Sequence, residues 1–105
     1  MEILKVSSKS IPSKVAGAIA NIIRKDKYLE LQTIGAGSLN QAIKAVAIAR
    51  GFVTPSGNDL CIIPSFNEIK IANEEKTGLK LLIENKSSLW DDVFLYFFIC
   101  IIIFF

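Results

Sequence analysis

The stretch that most constrains this chain is LQTIGAGSLNQAIKAVAIARG, Leu31 to Gly51. Leu29, Leu31 and Thr33 alternate with Glu30, Gln32 and Ile34, the period of a strand with one buried face. The alternation stops at Gly35-Ala36-Gly37, where glycine tolerates backbone angles that other residues avoid. Ser38 then stands where it can cap a helix predicted to run to about Arg50, with Gly51 as its stop. A strand that feeds a helix through a glycine turn gathers backbone N–H groups at one point, and that suits an anion.

The flanking sequence supplies partners for this unit. Met1 to Val6 reads as a strand with Leu4 and Val6 on one face and Ile3 and Lys5 on the other. Ser7 to Pro12 is a polar loop, and Pro12 suits the first turn of a helix running to about Arg24. In that helix Val15, Ile19, Ile22 and Ile23 form one apolar stripe. Lys25-Asp26-Lys27 turns into the second strand, Tyr28 to Ile34. After the second helix, Thr54-Pro55-Ser56-Gly57-Asn58 is a turn cluster. A third strand starts near Leu60, is interrupted by Pro64, and resumes at Ile69 to Ala72; the proline implies a sheet edge or a bulge. Asn73 to Gly78 reads as a hairpin tip, and Leu79 to Glu84 as the fourth strand.

The order is β-α-β-α-β-β. Right-handed crossovers bring both helices to one face of the sheet. The predicted fold is an α/β two-layer sandwich, a four-stranded mixed sheet with two helices on one face. Its other face is either exposed or covered by a second copy.

At 105 residues and 51% apolar content the chain has the length and the core of one domain. Its charge is unevenly placed: residues 1–50 hold eight basic and three acidic residues, so +5 there leaves −3 for the rest of a chain of net +2. A basic half points to a polyanionic partner or to an ordinary solvated surface. There is no His, so the commonest general base is absent, and neither cysteine has metal-ligand spacing. Glu74 and Glu75 read as solvated residues of the hairpin tip, and Cys61 as a small buried hydrophobe. The glycine turn lacks the Lys-Ser/Thr of a phosphate loop and the third glycine of a dinucleotide site, so a tight turn is the favoured local reading. No enzyme, cofactor or metal site is expected. Two cysteines without a secretory leader suggest a cytoplasmic setting.

Beyond Lys86 the composition changes. Val93 to Phe105 contains no charge, but as a helix those residues would reach only about 20 Å against a hydrocarbon core of about 30 Å. The expected organisation is therefore a domain over 1–86 and a hydrophobic tail over 87–105. The tail reads as an appendage, a membrane-surface segment or an extra element covering apolar surface.

The crossover topology also makes a prediction about the site. Both β-to-α junctions leave the sheet at the same edge, so Lys9 and Lys14 should converge with Ser38, Asn40, Gln41 and Lys44. Lysines beside two helix N-termini make either a phosphate-binding rim or a solvated one. Few aromatics accompany them, so base stacking has little support.

Three segments, MEILKVSSKSIPSKVAGAIA, IGAGSLNQAIKAVAIARGF and PSFNEI, closely resemble the stage V sporulation protein S family over about residues 1–86. That resemblance implies a small bacterial protein tied to spore formation through septation and coat assembly. The family resembles in turn the Alba superfamily of nucleic-acid-binding proteins, which share the β-α-β-α-β-β sandwich and work as dimers or larger homo-oligomers. Alba-type binding through the loop after strand one, the start of helix two and the last hairpin would fall on Lys9 and Lys14, then Gly37, Asn40, Gln41 and Lys44, then Lys76. The implied partner is DNA or RNA. Alba proteins of archaea carry basic residues around the helix-two glycine turn; this chain has Gly35, Ala36, Gly37 and Gln41 there.

Overall fold

The computed structural model describes residues 1–86 and 99–103. The chain runs β1 (Glu2–Val6), α1 (Pro12–Lys25), β2 (Tyr28–Thr33), α2 (Ala36–Val53), a short 3-10 turn (Thr54–Ser56), β3 (Leu60–Ile71) and β4 (Glu74–Asn85). The strands form one sheet in the order β1-β2-β4-β3. β1 and β2 are parallel, with Val6 opposite Thr33; β4 runs antiparallel to both of its neighbours. The two-layer mixed-sheet sandwich expected from the sequence is the fold.

Its core lies between the sheet and the helices. Leu29, Leu31, Leu81 and Ile83 are fully buried on the helix side of the sheet, against Ile19, Ile23, Ala42, Ala45 and Ala49. Ala16 and Ala20 of α1 are buried as well, and such small side chains let the helices approach each other and the sheet closely. The one polar residue in this row, Thr33, donates its hydroxyl to the carbonyl of Leu79 (3.3 Å). Burial therefore leaves it satisfied.

Four local expectations differ from the structure, each for a physical reason. Gly35, not Ser38, begins α2: its φ of 86° and ψ of 164° are open only to glycine. Ser38 sits inside the first turn and donates its hydroxyl back to the carbonyls of Ile34 and Gly35. Gly51 does not stop α2, which continues to Val53 and ends through the 3-10 turn at Gly57, with φ of 83°. Pro64 does not interrupt β3, though the edge position it implied is right: β3 is an outer strand of the sheet, where proline is tolerated.

The last difference is the hairpin. Its tip is the two residues Ala72 and Asn73, both with positive φ, as a tight primed turn requires. Glu74 to Gly78 belong to β4. The β2–β4 ladder ends at the pair Thr33 and Leu79, so Asn67–Ile71 and Glu74–Gly78 continue beyond the sheet as a two-stranded arm. At about 3.3 Å per residue the arm extends roughly 17 Å.

Replacing Gly35 by Ala is expected to cost about 2 kcal/mol, the strain of a Cβ at that backbone conformation, although the space around it is open. Chemical denaturation checks this as a drop in midpoint at unchanged slope.

Most of the tail lies outside the described residues, and so does any test of the boundary near Lys86. Residues 99–103 are helical, with Ile102 and Ile103 exposed. Among the described residues no helix is long and apolar enough to cross a membrane.

Candidate functional site

β1 and β2 are parallel neighbours, so their C-terminal ends, and the turns that follow, leave the sheet side by side. The first turn is fixed by its serines. The N–H of Ser7 donates to Ser10 Oγ (3.0 Å), the N–H of Ser10 to the Ser7 carbonyl (3.1 Å) and the N–H of Lys9 to Ser7 Oγ (3.2 Å). This leaves the Lys9 side chain exposed at the crest of the loop.

Two contacts tie that loop to the start of α2. Gln41 Nε2 donates to the Ser10 carbonyl at 3.0 Å. Gly37 lies so near Ser8 that a Cβ built on it would be 3.1 Å from Ser8 Cβ. The two glycines of the turn thus have separate tasks: Gly35 supplies the backbone angle and Gly37 the close approach. Gln41 uses its amide as a strut, while Asn40 is exposed near the start of α2 and Lys44 is exposed at the middle of that helix. Lys14, in the first turn of α1, is exposed as well.

The arm joins this group from the other side. Its strands continue past Thr33 and Leu79, at the sheet end from which the β1–α1 loop leaves. Lys76 is exposed on it, opposite Ile69 in register. A groove of 220 Å³ separates the arm's base from α2, lined by Thr33, Gly35, Ala36, Leu39, Thr77 and Gly78. Lys9, Lys14, Gly37, Asn40, Gln41 and Lys76 therefore belong to one end of the molecule, and Lys44 lies further along α2. The loop and the start of α2 are in direct contact. Lys76 is set apart on the arm.

The loop and the helix starts carry cations without acids, whereas the arm carries Glu68, Glu74 and Glu75 beside Lys70 and Lys76. Neither helix has an acidic residue in its first turn, so the free N–H groups there keep their partial positive charge. Among the described residues the ion pairs are Arg50–Asp59 (2.7 Å) and Lys86–Glu84 (3.2 Å), which leaves Lys9, Lys14, Lys44 and Lys76 outside any. Arg50 is near the far end of α2, where the Asp59 carboxylate raises its pKa by a hydrogen bond and by direct attraction. No cluster of metal-ligating side chains occurs among the described residues.

Sequence reasoning missed Ser8 and Ser10 as the partners of Gly37 and Gln41. No local signal marks such pairs, since Gln41 and Ser10 are 31 positions apart. Replacing Gly37 by Val is expected to cost about 2 kcal/mol by overpacking against Ser8. It should also push the loop from α2, measurable as a shift of the Ser8 and Ser10 amide resonances.

Comparison with known proteins gives two findings. The family profile described as Stage V sporulation protein S matches residues 2–86. Among solved structures the fold is similar to that of Alba from Thermoplasma volcanium, with a TM-score of 0.57 and 12% sequence identity, covering 78% of this chain and 98% of that one. At that identity the likeness speaks for the fold alone.

Proposed function

The chain belongs to the stage V sporulation protein S family, and on that premise we propose that it is a non-enzymatic, nucleic-acid-binding regulator of bacterial sporulation. The observation that carries the reading is the contact between the β1–α1 loop and the start of α2, through Gln41 to Ser10 and Gly37 to Ser8. It brings Lys9, Lys14 and Asn40 to one rim with two helix N-termini, with Lys44 further along α2, and the arm bearing Lys76 projects from the same end. Lysines and backbone amides of this kind bind phosphates without reading bases. We extend the proposal, on the sequence resemblance, to a homo-oligomeric, cytoplasmic protein.

The test is a titration of the purified chain with DNA and RNA over a salt series. Binding should weaken steeply as salt rises, because each lysine on a phosphate releases counterions. Absence of binding to either nucleic acid at low salt would remove the proposal.

A second reading, a protein scaffold for septum or coat assembly, draws on the exposed isoleucines of residues 99–103, which offer an apolar surface for membrane recruitment. Fractionation separates the two. Equal solubility of the full chain and of a chain ending at Lys86 would dismiss the membrane role.

A further inference from the structure

The sheet face turned away from the helices has charge of its own. Read through the register, one row crosses it from edge to edge: Lys5, Gln32, Lys80, Ser65. This row lies at the end of the sheet where the loop and the arm depart, since Lys5 precedes the last residue of β1 and Lys80 follows Leu79, the partner of Thr33.

Within the four-stranded part of the sheet two acids share this face, of which Glu84 is ion-paired and Glu30 is held by a neutral amide. Glu30 accepts a hydrogen bond from Gln32 Nε2 (2.8 Å), and Glu84, 8% exposed, is paired with Lys86. Lys5 and Lys80 have no ion pair among the described residues. They lie two strand spacings apart, about 10 Å, close to three steps of roughly 3.4 Å along a duplex. No aromatic stands in the row, so it offers phosphates a pair of flexible cations and offers bases no stacking platform.

We infer that Lys5 and Lys80 extend the proposed interface onto the open sheet face and contact the phosphate backbone of duplex DNA. The duplex then lies in the notch between the β1–α1 loop and the arm, touching the rim lysines on one side and this row on the other. The inference rests on the nucleic-acid reading above. It adds a face which that reading does not use.

The experiment is fluorescence anisotropy of the full chain with a labelled duplex DNA of mixed sequence across a sodium chloride series. Three double variants are compared with the wild type: Lys5→Ala/Lys80→Ala, Lys9→Ala/Lys14→Ala, and Arg24→Ala/Lys25→Ala as a charge-matched control at the far end of α1. Circular dichroism establishes that each is folded, with Lys5→Gln/Lys80→Gln as the substitute if the alanine pair is not. Losing two phosphate contacts should lower the slope of log affinity against log salt by about 1.8, while the control keeps the wild-type slope. A Lys5/Lys80 variant indistinguishable from the control overturns the inference. If the Lys9/Lys14 variant has by then lost slope, the wider reading survives. The same series is run with a labelled single strand of the same sequence: a slope change confined to that probe overturns the choice of duplex, and a wild type that binds neither probe overturns both readings together.

Discussion

Replacing Gly78 by Ala is expected to cost about 3 kcal/mol and to lower the thermal midpoint by roughly 10 to 20 °C. A Cβ on Gly78 would run into the carbonyl oxygen of Thr33 and lie 3.2 Å from Ile34 Cγ1. The first of these is backbone. Thr33 pairs with Leu79 in the ladder and bonds its carbonyl through the Thr33 hydroxyl, so it has no cheap way to retreat. Either the arm lifts from the end of β2 or the ladder loosens there. Gly17→Ala is the matched control, since the space around Gly17 in α1 is empty and alanine favours helix by up to about 1 kcal/mol. Thermal unfolding followed by circular dichroism should therefore move in opposite directions for the two variants. A Gly78→Ala midpoint equal to that of the wild type would mean that the hairpin does not pass Thr33 as described.

The second large effect concerns binding. Reversing Lys9 and Lys14 together to Glu should weaken duplex binding about a hundredfold at moderate salt. Two phosphate contacts carry about 1.8 of the salt slope, a contribution that changes roughly tenfold between about 50 and 200 mM salt, so the loss should be larger at the lower salt, and reversal adds repulsion from each new carboxylate. Stability should hardly change, because both side chains are exposed and a glutamate in the first turn of α1 complements the helix dipole. Anisotropy at two salt concentrations reads the effect. Wild-type affinity in the reversed protein would exclude the rim from any nucleic-acid interface.

Much of the fold was legible because single-element patterns carry it. Leu29, Leu31 and Thr33 alternate, and all three are buried; Pro12 opens α1 where its missing N–H costs nothing. What went unread depends on neighbours distant in sequence. Gly78 looks like a turn residue until Thr33 is placed beside it. Pro64 does point to an edge or a bulge, and β3 is an edge; only the interruption expected there is absent. Ser38 has the composition of a cap, but Gly35 already holds the one conformation that starts the helix, so the hydroxyl turns back on the preceding carbonyls. The candidate site divides the same way. Parallel adjacency of β1 and β2 predicts that the two junctions meet, while the Gln41–Ser10 and Gly37–Ser8 contacts that lock them have no signature in spacing.

The arm has a consequence for how the molecule breathes. Past Leu79 each of its strands has one neighbour instead of the two that flank β4 in the sheet, and a lone pair of strands is marginal in water. Its backbone amides should exchange with deuterium through local openings, while those from Leu81 to Glu84 wait for the whole domain to unfold. A partner that grips the arm would slow the first set and leave the second untouched.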